Sequence, residues 1–269
     1  MPLRMQLGLI AAGVALAMLG AVAAAQPAAA PSSDARNLEG VWNITHASKL
    51  NRDKTVSYGR GNADGPNDLP HSRVLWPIDH NEPPFTAWGR QKFEARFNGN
   101  INNVPMADPS TNCSPHGMPR IMIAPYPMQI VQTPGLITML FEVNHNVRLI
   151  HMDQPLPQRP KITLMGYAVG HWEDDTLVIE TRGISGEGIF DEIGTSHSDE
   201  LKVTERIRKI DGGKTLEDTF TFEDPIAFTK PWQAREILNR RPNNTQLMEY
   251  VCEENNRNVS DANGNTTAR

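Results

Sequence analysis

The sequence predicts a mainly β protein in which an antiparallel meander of strands closes into an up-and-down barrel. From residue 128 onward, short runs of alternating apolar and polar residues are separated by turn residues such as Thr133-Pro134-Gly135. Glycine and proline contribute 20 and 21 of the 269 residues, which is typical of chains with many turns and short strands. Eight or nine strands suit a closed barrel, which leaves no exposed sheet edge; an open curved sheet or a sandwich is the alternative.

The beginning of the chain predicts export. Arg4 precedes an apolar run over residues 7–22, and Ala23-Ala24-Ala25 forms an A-x-A cleavage site. A membrane anchor is the alternative, because the run is close to the lower length of a spanning helix. We therefore expect a periplasmic or secreted protein without a membrane span after cleavage. The expected division is a signal peptide (1–25), a disordered leader (26–36), a single barrel-like domain (37–254) and a polar flexible tail (255–269).

Composition and motifs exclude several classes of partner. The chain has 26 Lys and Arg against 31 Asp and Glu without a basic run, so a nucleic-acid partner is not expected. The Gly-rich stretch 183–188 does not follow the G-x-G-x-x-G spacing. No H-E-x-x-H or H-x-H pair occurs, so neither a cofactor nor a metal is predicted.

Cys113 and Cys252 are the two cysteines of the chain. In an exported protein such a pair predicts a disulfide. A reactive thiol or a metal site is the alternative.

The strand at residues 37–48 opens with Gly40-x-Trp42, which is similar to the G-x-W of lipocalin-type barrels, whose Trp plugs one end. An ordinary buried strand Trp is the alternative. Residues 49–127 are predicted to be one helical and loop excursion. Its helix is expected over residues 84–98, where Trp88, Phe93 and Phe97 recur near helical spacing. Further strands are predicted at residues 128–132, 136–143, 147–152, 163–172, 176–181, 228–238 and 247–252.

Residues 197–225 predict a hairpin around which the sheet is organised. If Ile210 lies opposite Thr215, the apolar residues collect on one face and opposite charges pair on the other, as in Arg208 with Glu217. Glu205 and Asp218 then remain on the apolar face, roughly diagonal to one another. Phe220 shares this face and is a candidate ligand contact.

Glu205 and Asp218 are the first candidates for acid–base catalysis. A low-dielectric interior disfavours the charged form of a carboxyl group, and a second carboxylate raises one pKa further. In the alternative interpretation they pair with a buried arginine, Arg148 or Arg120, and only stabilise the barrel.

A second set of candidates is built around histidine, which can transfer protons near neutral pH. If the face of residues 163–172 that carries Tyr167 and His171 lines the interior, these two join the catalytic set. The candidate binding residues, beside Trp42 and Phe220, are Glu142, His145, Arg148 and His197. For each histidine taken singly, a capping or loop role is the alternative.

Several segments resemble a large family of uncharacterised secreted bacterial proteins. They are NLEGVW (37–42), PRIMIAPYPMQIVQTPG (119–135), GHWEDDTLVIET (170–181), HSDELKVTER (197–206), EDPIAFTKPW (223–232) and EYVCEEN (249–255). The resemblance implies secretion and one intact domain, but it implies no reaction. Asp174 stands where the family pattern has glycine.

The sequence thus favours an exported barrel with a pocket for a small apolar or aromatic molecule. The first hypothesis is a cofactor-independent acid–base enzyme of the hydro-lyase, isomerase or lyase type. A non-catalytic periplasmic carrier or scavenger and an envelope interaction protein are the alternatives.

Overall fold

A computed structural model describes residues 35–44, 75, 77–79, 81–101, 113–191, 193–255, 259–260 and 266–267. The chain divides into two compact units, residues 1–30 and 31–269, and all described residues belong to the second. The expected signal peptide, most of the leader and much of the 49–127 excursion lie outside the described residues. No helix within these ranges has the length and apolar character that crossing a membrane requires.

In the described part of the chain, nine strands form a closed barrel. The strands are β1 (Gly40–Asn43), β2 (Met128–Thr133), β3 (Leu136–Phe141), β4 (Val147–Met152), β5 (Tyr167–Glu173), β6 (Thr176–Arg182), β7 (Lys202–Ile210), β8 (Thr215–Glu223) and β9 (Trp232–Arg240). β1 pairs with both β2 and β9 and so closes the barrel. A separate two-stranded pair, β10 (Val259–Ser260) and β11 (Thr266–Thr267), follows in the tail.

The mainly β barrel is confirmed, but the purely antiparallel order is wrong at one junction. β4 and β5 pair in parallel, with Ile150 opposite Ala168. A parallel pair requires a long connection, and the proline-containing residues 153–166 supply it. Gly170 permits close packing here, because a Cβ at this position would lie 2.9 Å from Ile150 Cγ2.

The predicted hairpin register is confirmed by β7 and β8. Ile210 lies opposite Thr215, and the outer face pairs Arg208 with Glu217. The β5–β6 hairpin also forms, with Asp174 in its turn at a φ of 50°. This left-handed conformation favours glycine, which explains why a glycine suits the position.

The predicted helix is observed as α1 (Ala87–Ile101), three residues later than expected. Thr86 Oγ1 accepts a hydrogen bond from Gly89 N at 3.1 Å and so caps the first turn. The buried ring of Phe93 stacks on Phe85 and Phe97.

The prediction of a strand at residues 247–252 is wrong. This segment contributes an isolated bridge between Tyr250 and Val143, and a 3-10 turn, Cys252–Asn255, follows it. Its backbone bonds instead to side chains, since Met248 N donates to Glu142 and Cys252 N donates to Asn144 Oδ1.

The predicted disulfide between Cys113 and Cys252 is present and spans 139 residues. It ties the C-terminal segment to the segment before β2. That segment contains a buried 3-10 turn, Arg120–Ile123, of which Ile121, Met122 and Ile123 pack into the core.

Candidate active site

The barrel interior contains an ion pair between two opposite parts of the sheet. Arg148 of β4 and Glu205 of β7 are 1% and 0% exposed. Arg148 Nη1 donates to Glu205 Oε1 at 2.8 Å, and Nη2 donates to Glu205 Oε2 and, at 3.0 Å, to Thr181 Oγ1. This two-pronged geometry fixes the orientation of both groups.

Two further carboxyl groups lie close to this pair. Asp218 of β8 and Glu236 of β9 occupy opposite positions of neighbouring strands and are 0% and 4% exposed. Burial raises the pKa of Asp218 well above its usual range; the charge of Glu205 raises it further, and that of Arg148 opposes the shift. Burial likewise raises the pKa of Glu236 well above its usual range.

Several polar atoms of this cluster have no hydrogen-bond partner among the described residues. They are both carboxyl oxygens of Asp218, Oε1 of Glu236 and Nε of Arg148. A buried polar atom left unsatisfied costs about 1–3 kcal/mol, and such groups are normally bonded to protein or ordered water. The cluster is therefore suited to a polar guest, either water or the polar group of a bound molecule.

Met122 contacts this cluster. Its Sδ lies 3.5 Å from Arg148 Nη1. Met122 also lines a void of about 10 Å³, together with Met128, Phe141 and Leu238. Because methionine is unbranched and adapts its shape, this side chain is displaced more readily than a branched one.

The structure does not bring Tyr167 and His171 to this cluster. The opposite face of β5, with Ala168 and Gly170, is the buried one, so the expectation that their face lines the interior is wrong. Tyr167 stacks on His151 at a ring distance of 4.8 Å, and His171 is exposed beside Glu173. The register of the β4–β5 pair places Ala168, and not Tyr167, beside buried Ile150, which puts Tyr167 and His171 on the opposite face.

The predicted binding residues are distributed over the molecule. Trp42 and Phe220 are fully buried in the core, and Trp42 Nε1 donates to Leu38 O at 2.9 Å. Glu142 is buried and accepts a hydrogen bond from Met248 N, while His145 lies exposed in the β3–β4 turn at a φ of 49°.

His197 lies before β7, buried edge-on against Phe190. Of the predicted residues, Glu205, Asp218 and Arg148 therefore share one cluster.

Glu236 is the member of the cluster that the sequence interpretation missed. The signal is present in β9, where Trp232, Ala234, Glu236 and Leu238 alternate and are all buried. Glu236 can be recognised in the sequence as a carboxylate on an otherwise apolar strand face, and Glu205 and Asp218 are recognised in the same way.

Within the described ranges, no three His, Cys, Asp or Glu side chains are placed to share a metal ion. Comparison of the chain with models of known protein families and with curated proteins finds no match.

Proposed function

We propose that this protein binds a small molecule in its barrel and acts on it as a cofactor-independent acid–base enzyme. The observation that carries the proposal is the pair of buried, facing carboxyl groups of Asp218 and Glu236, three of whose four oxygens lack hydrogen-bond partners in the described structure. Strongly shifted pKa values in such a place are typical of catalytic acids and bases.

The pair provides both halves of a proton transfer. Asp218 and Glu236 lie directly across neighbouring strands, so loss of a proton from one of them leaves an acid beside a base. The carboxylate removes a proton from a substrate carbon while the carboxylic acid protonates a substrate oxygen. In an isomerisation the oxygen stays on the substrate; in a dehydration it leaves as water. Proton exchange within the pair then restores the starting state.

The surroundings favour an uncharged substrate with one polar group. The charges of Arg148 and Glu205 cancel, and the raised pKa values favour neutral acids at Asp218 and Glu236. The remaining walls are apolar, with Met139 and Phe220 completely buried beside the polar cluster. We therefore infer a small apolar or aromatic carbonyl or hydroxyl compound, which enters by displacing Met122.

Export is part of the proposal. The disulfide fits an oxidising compartment such as the periplasm or the cell exterior. Residues 1–25 are the proposed signal peptide, and their removal is tested by the N-terminal sequence of protein purified from the periplasm.

The first prediction is that the protein carries a small molecule and exchanges a hydrogen on one of its carbon atoms. Native mass spectrometry of the periplasmic protein should detect a co-purifying small molecule. When that molecule is returned to the protein in D₂O, wild type should place deuterium on one of its carbon atoms. Asp218→Asn should lower the exchange rate by about 10²–10⁴-fold, the usual contribution of a positioned acid or base.

The matched control is Glu223→Gln, which changes an exposed carboxylate of the same strand. Binding without exchange in wild type would favour the non-catalytic carrier. If no molecule co-purifies, thermal-shift assays with benzaldehyde, cyclohexenone and benzyl alcohol follow, using wild type and Met122→Ala. The probes should raise the melting temperature of Met122→Ala more than that of wild type, because the variant opens the cluster. Melting temperatures that no probe changes in either protein would contradict a barrel pocket.

A further inference from the structure

The outer surface of the barrel has an uncharged and largely apolar region on β2, β3 and β4. Nine side chains of these strands form three cross-strand rows on this surface: Gln129–Leu140–Val147, Val131–Thr138–Leu149 and Thr133–Leu136–His151. All nine are exposed or half-buried, whereas most of the residues that alternate with them are buried. None of the nine is Asp, Glu, Lys or Arg. We call this region the neutral face.

The neutral face differs from the outer surface of β7, where Lys202, Arg206 and Arg208 are exposed. An antiparallel sheet with one solvated face normally carries polar residues on that face, as β7 does. On the neutral face, Val147 and Leu149 are instead 47% and 46% exposed. Single exposed apolar residues are common in soluble proteins, but a contiguous group of them marks an interaction surface.

The C-terminal segment adds apolar surface where the neutral face ends. Met248 N donates to Glu142 Oε2 at 2.9 Å, and Glu142 directly follows β3. Tyr250 forms a bridge with Val143, the next residue. Met248 and Tyr250 are exposed, whereas Glu142 is buried and does not present its charge at the surface. The two exposed side chains therefore extend the apolar surface beyond the three strands.

Charge decides which partner fits this surface. The chain has a formal net charge of −5, so two copies repel each other where their charged surfaces meet. On the neutral face, two copies can meet without like charges opposite each other. A two-fold axis brings the same face of both copies together, as in most homodimers. A lipid surface fits less well, because binding to it draws on Lys and Arg beside the apolar residues, and the neutral face has neither.

The size of the face determines how strong such a contact can be. Each of the three strands has six residues. At about 3.3 Å per residue and about 4.8 Å between strands, they form a face of about 15 by 20 Å. Stable complexes bury about 800 Å² on each partner, and the neutral face is smaller even with the C-terminal segment. The expected dissociation constant is therefore micromolar or higher.

We propose that the neutral face binds a second copy of this chain and forms a weak, symmetric dimer. The two faces pack sheet against sheet, about 10 Å apart. The middle row, Val131–Thr138–Leu149, lies at the centre of the contact. Leu149 and Val147 of each copy are buried against the other copy. The contact uses the outside of the barrel, so it does not depend on the proposed reaction inside it.

Sedimentation equilibrium of protein purified from the periplasm tests the proposal at about 1 μM to about 1 mM. Wild type should show a reversible monomer–dimer equilibrium in this range. Leu149→Lys should raise the dissociation constant at least about tenfold, because the contact would bury two unpaired charges. The matched control is Ile226→Lys, since Ile226 is 43% exposed but lies between β8 and β9, outside the neutral face. This control should dimerise like wild type.

NMR of ¹⁵N-labelled wild type locates the contact. Backbone resonances that move with protein concentration should be confined to β2, β3, β4 and residues 248–250. Raising the NaCl concentration from about 0.05 M to about 0.5 M should not weaken the dimer, because no charge pair forms across the neutral face.

The proposal is overturned if wild type remains monomeric at about 1 mM, or if Ile226→Lys weakens the dimer as much as Leu149→Lys. Concentration-dependent shifts on another surface, or a dimer that salt dissociates, would also overturn it. Phosphatidylglycerol vesicles that bind monomeric wild type but not Leu149→Lys would assign the face to a lipid surface instead. Should Leu149→Lys not fold, the concentration-dependent shifts of wild type decide alone.

Discussion

At the residue scale, Asp218 is a carboxyl group that is completely removed from water. Its carboxyl group is buried, faces Glu236 and lies near the charge of Glu205. A buried carboxyl group without a hydrogen-bond donor is more stable as a neutral acid than as a carboxylate. Its protonation therefore contributes to the pH dependence of folding.

The prediction at this scale is that the free energy of unfolding falls as the pH rises, and that this fall depends on Asp218. The folded pKa is raised above the unfolded value of 3.8. The folded protein then binds more protons than the unfolded chain between these two values, so the free energy of unfolding falls as pH rises through this window. Asp218→Asn should be close to wild type near about pH 4 and increasingly more stable than wild type towards about pH 8.

Urea unfolding at several pH values, with Glu223→Gln as the exposed control, measures this difference. Parallel stability curves for wild type and Asp218→Asn would show that Asp218 is ionised in the folded protein. The acid role of Asp218 would then be wrong.

At the scale of elements, the Arg148–Glu205 pair links β4 to β7 across the barrel interior. Removing one partner leaves the other as an unpaired buried charge, which lowers the free energy of unfolding by about 3–5 kcal/mol. Replacing both by apolar residues of similar volume is often nearly neutral.

We therefore expect Glu205→Leu and Arg148→Met each to lower the free energy of unfolding by about 3–5 kcal/mol. The double variant Arg148→Met with Glu205→Leu should recover most of this loss. The pair Arg208–Glu217, whose arginine is exposed, is the control, and Arg208→Ala should cost less than about 1 kcal/mol. Additive losses in the double variant, measured by urea unfolding, would contradict a coupled pair.

At the scale of the whole molecule, the disulfide links two distant parts of the sequence. Cys113 precedes the first long run of strands, and Cys252 follows the last strand of the barrel. The bond restricts the unfolded chain over 139 residues. Nearby, Tyr126 and Tyr250 pack ring to ring at 4.9 Å.

Replacing both cysteines by serine should lower the free energy of unfolding by at most about 5 kcal/mol, the chain-entropy value for a loop of this length. Denaturant unfolding of the variant and of wild type with reductant should agree. A change below about 1 kcal/mol would show that the unfolded chain gains little freedom when the bond is absent.

The sequence alone determined the features that depend on neighbours along the chain. The β7–β8 register, with Glu205 and Asp218 on the apolar face, follows from period-two alternation and a short loop. The helix around Phe93 follows from its spacing of aromatic residues, and the disulfide follows from a cysteine count of two.

Tertiary structure decided what depends on partners far apart in sequence. The β4–β5 register places Ala168 beside buried Ile150 and so leaves Tyr167 and His171 on the other face. Alternation within β5 cannot tell which of its faces is inside. Only closure of the barrel brings Arg148 to Glu205 and Glu236 to Asp218. The physical reason is that local periodicity fixes which residues share a face, whereas strand order and direction fix what that face meets.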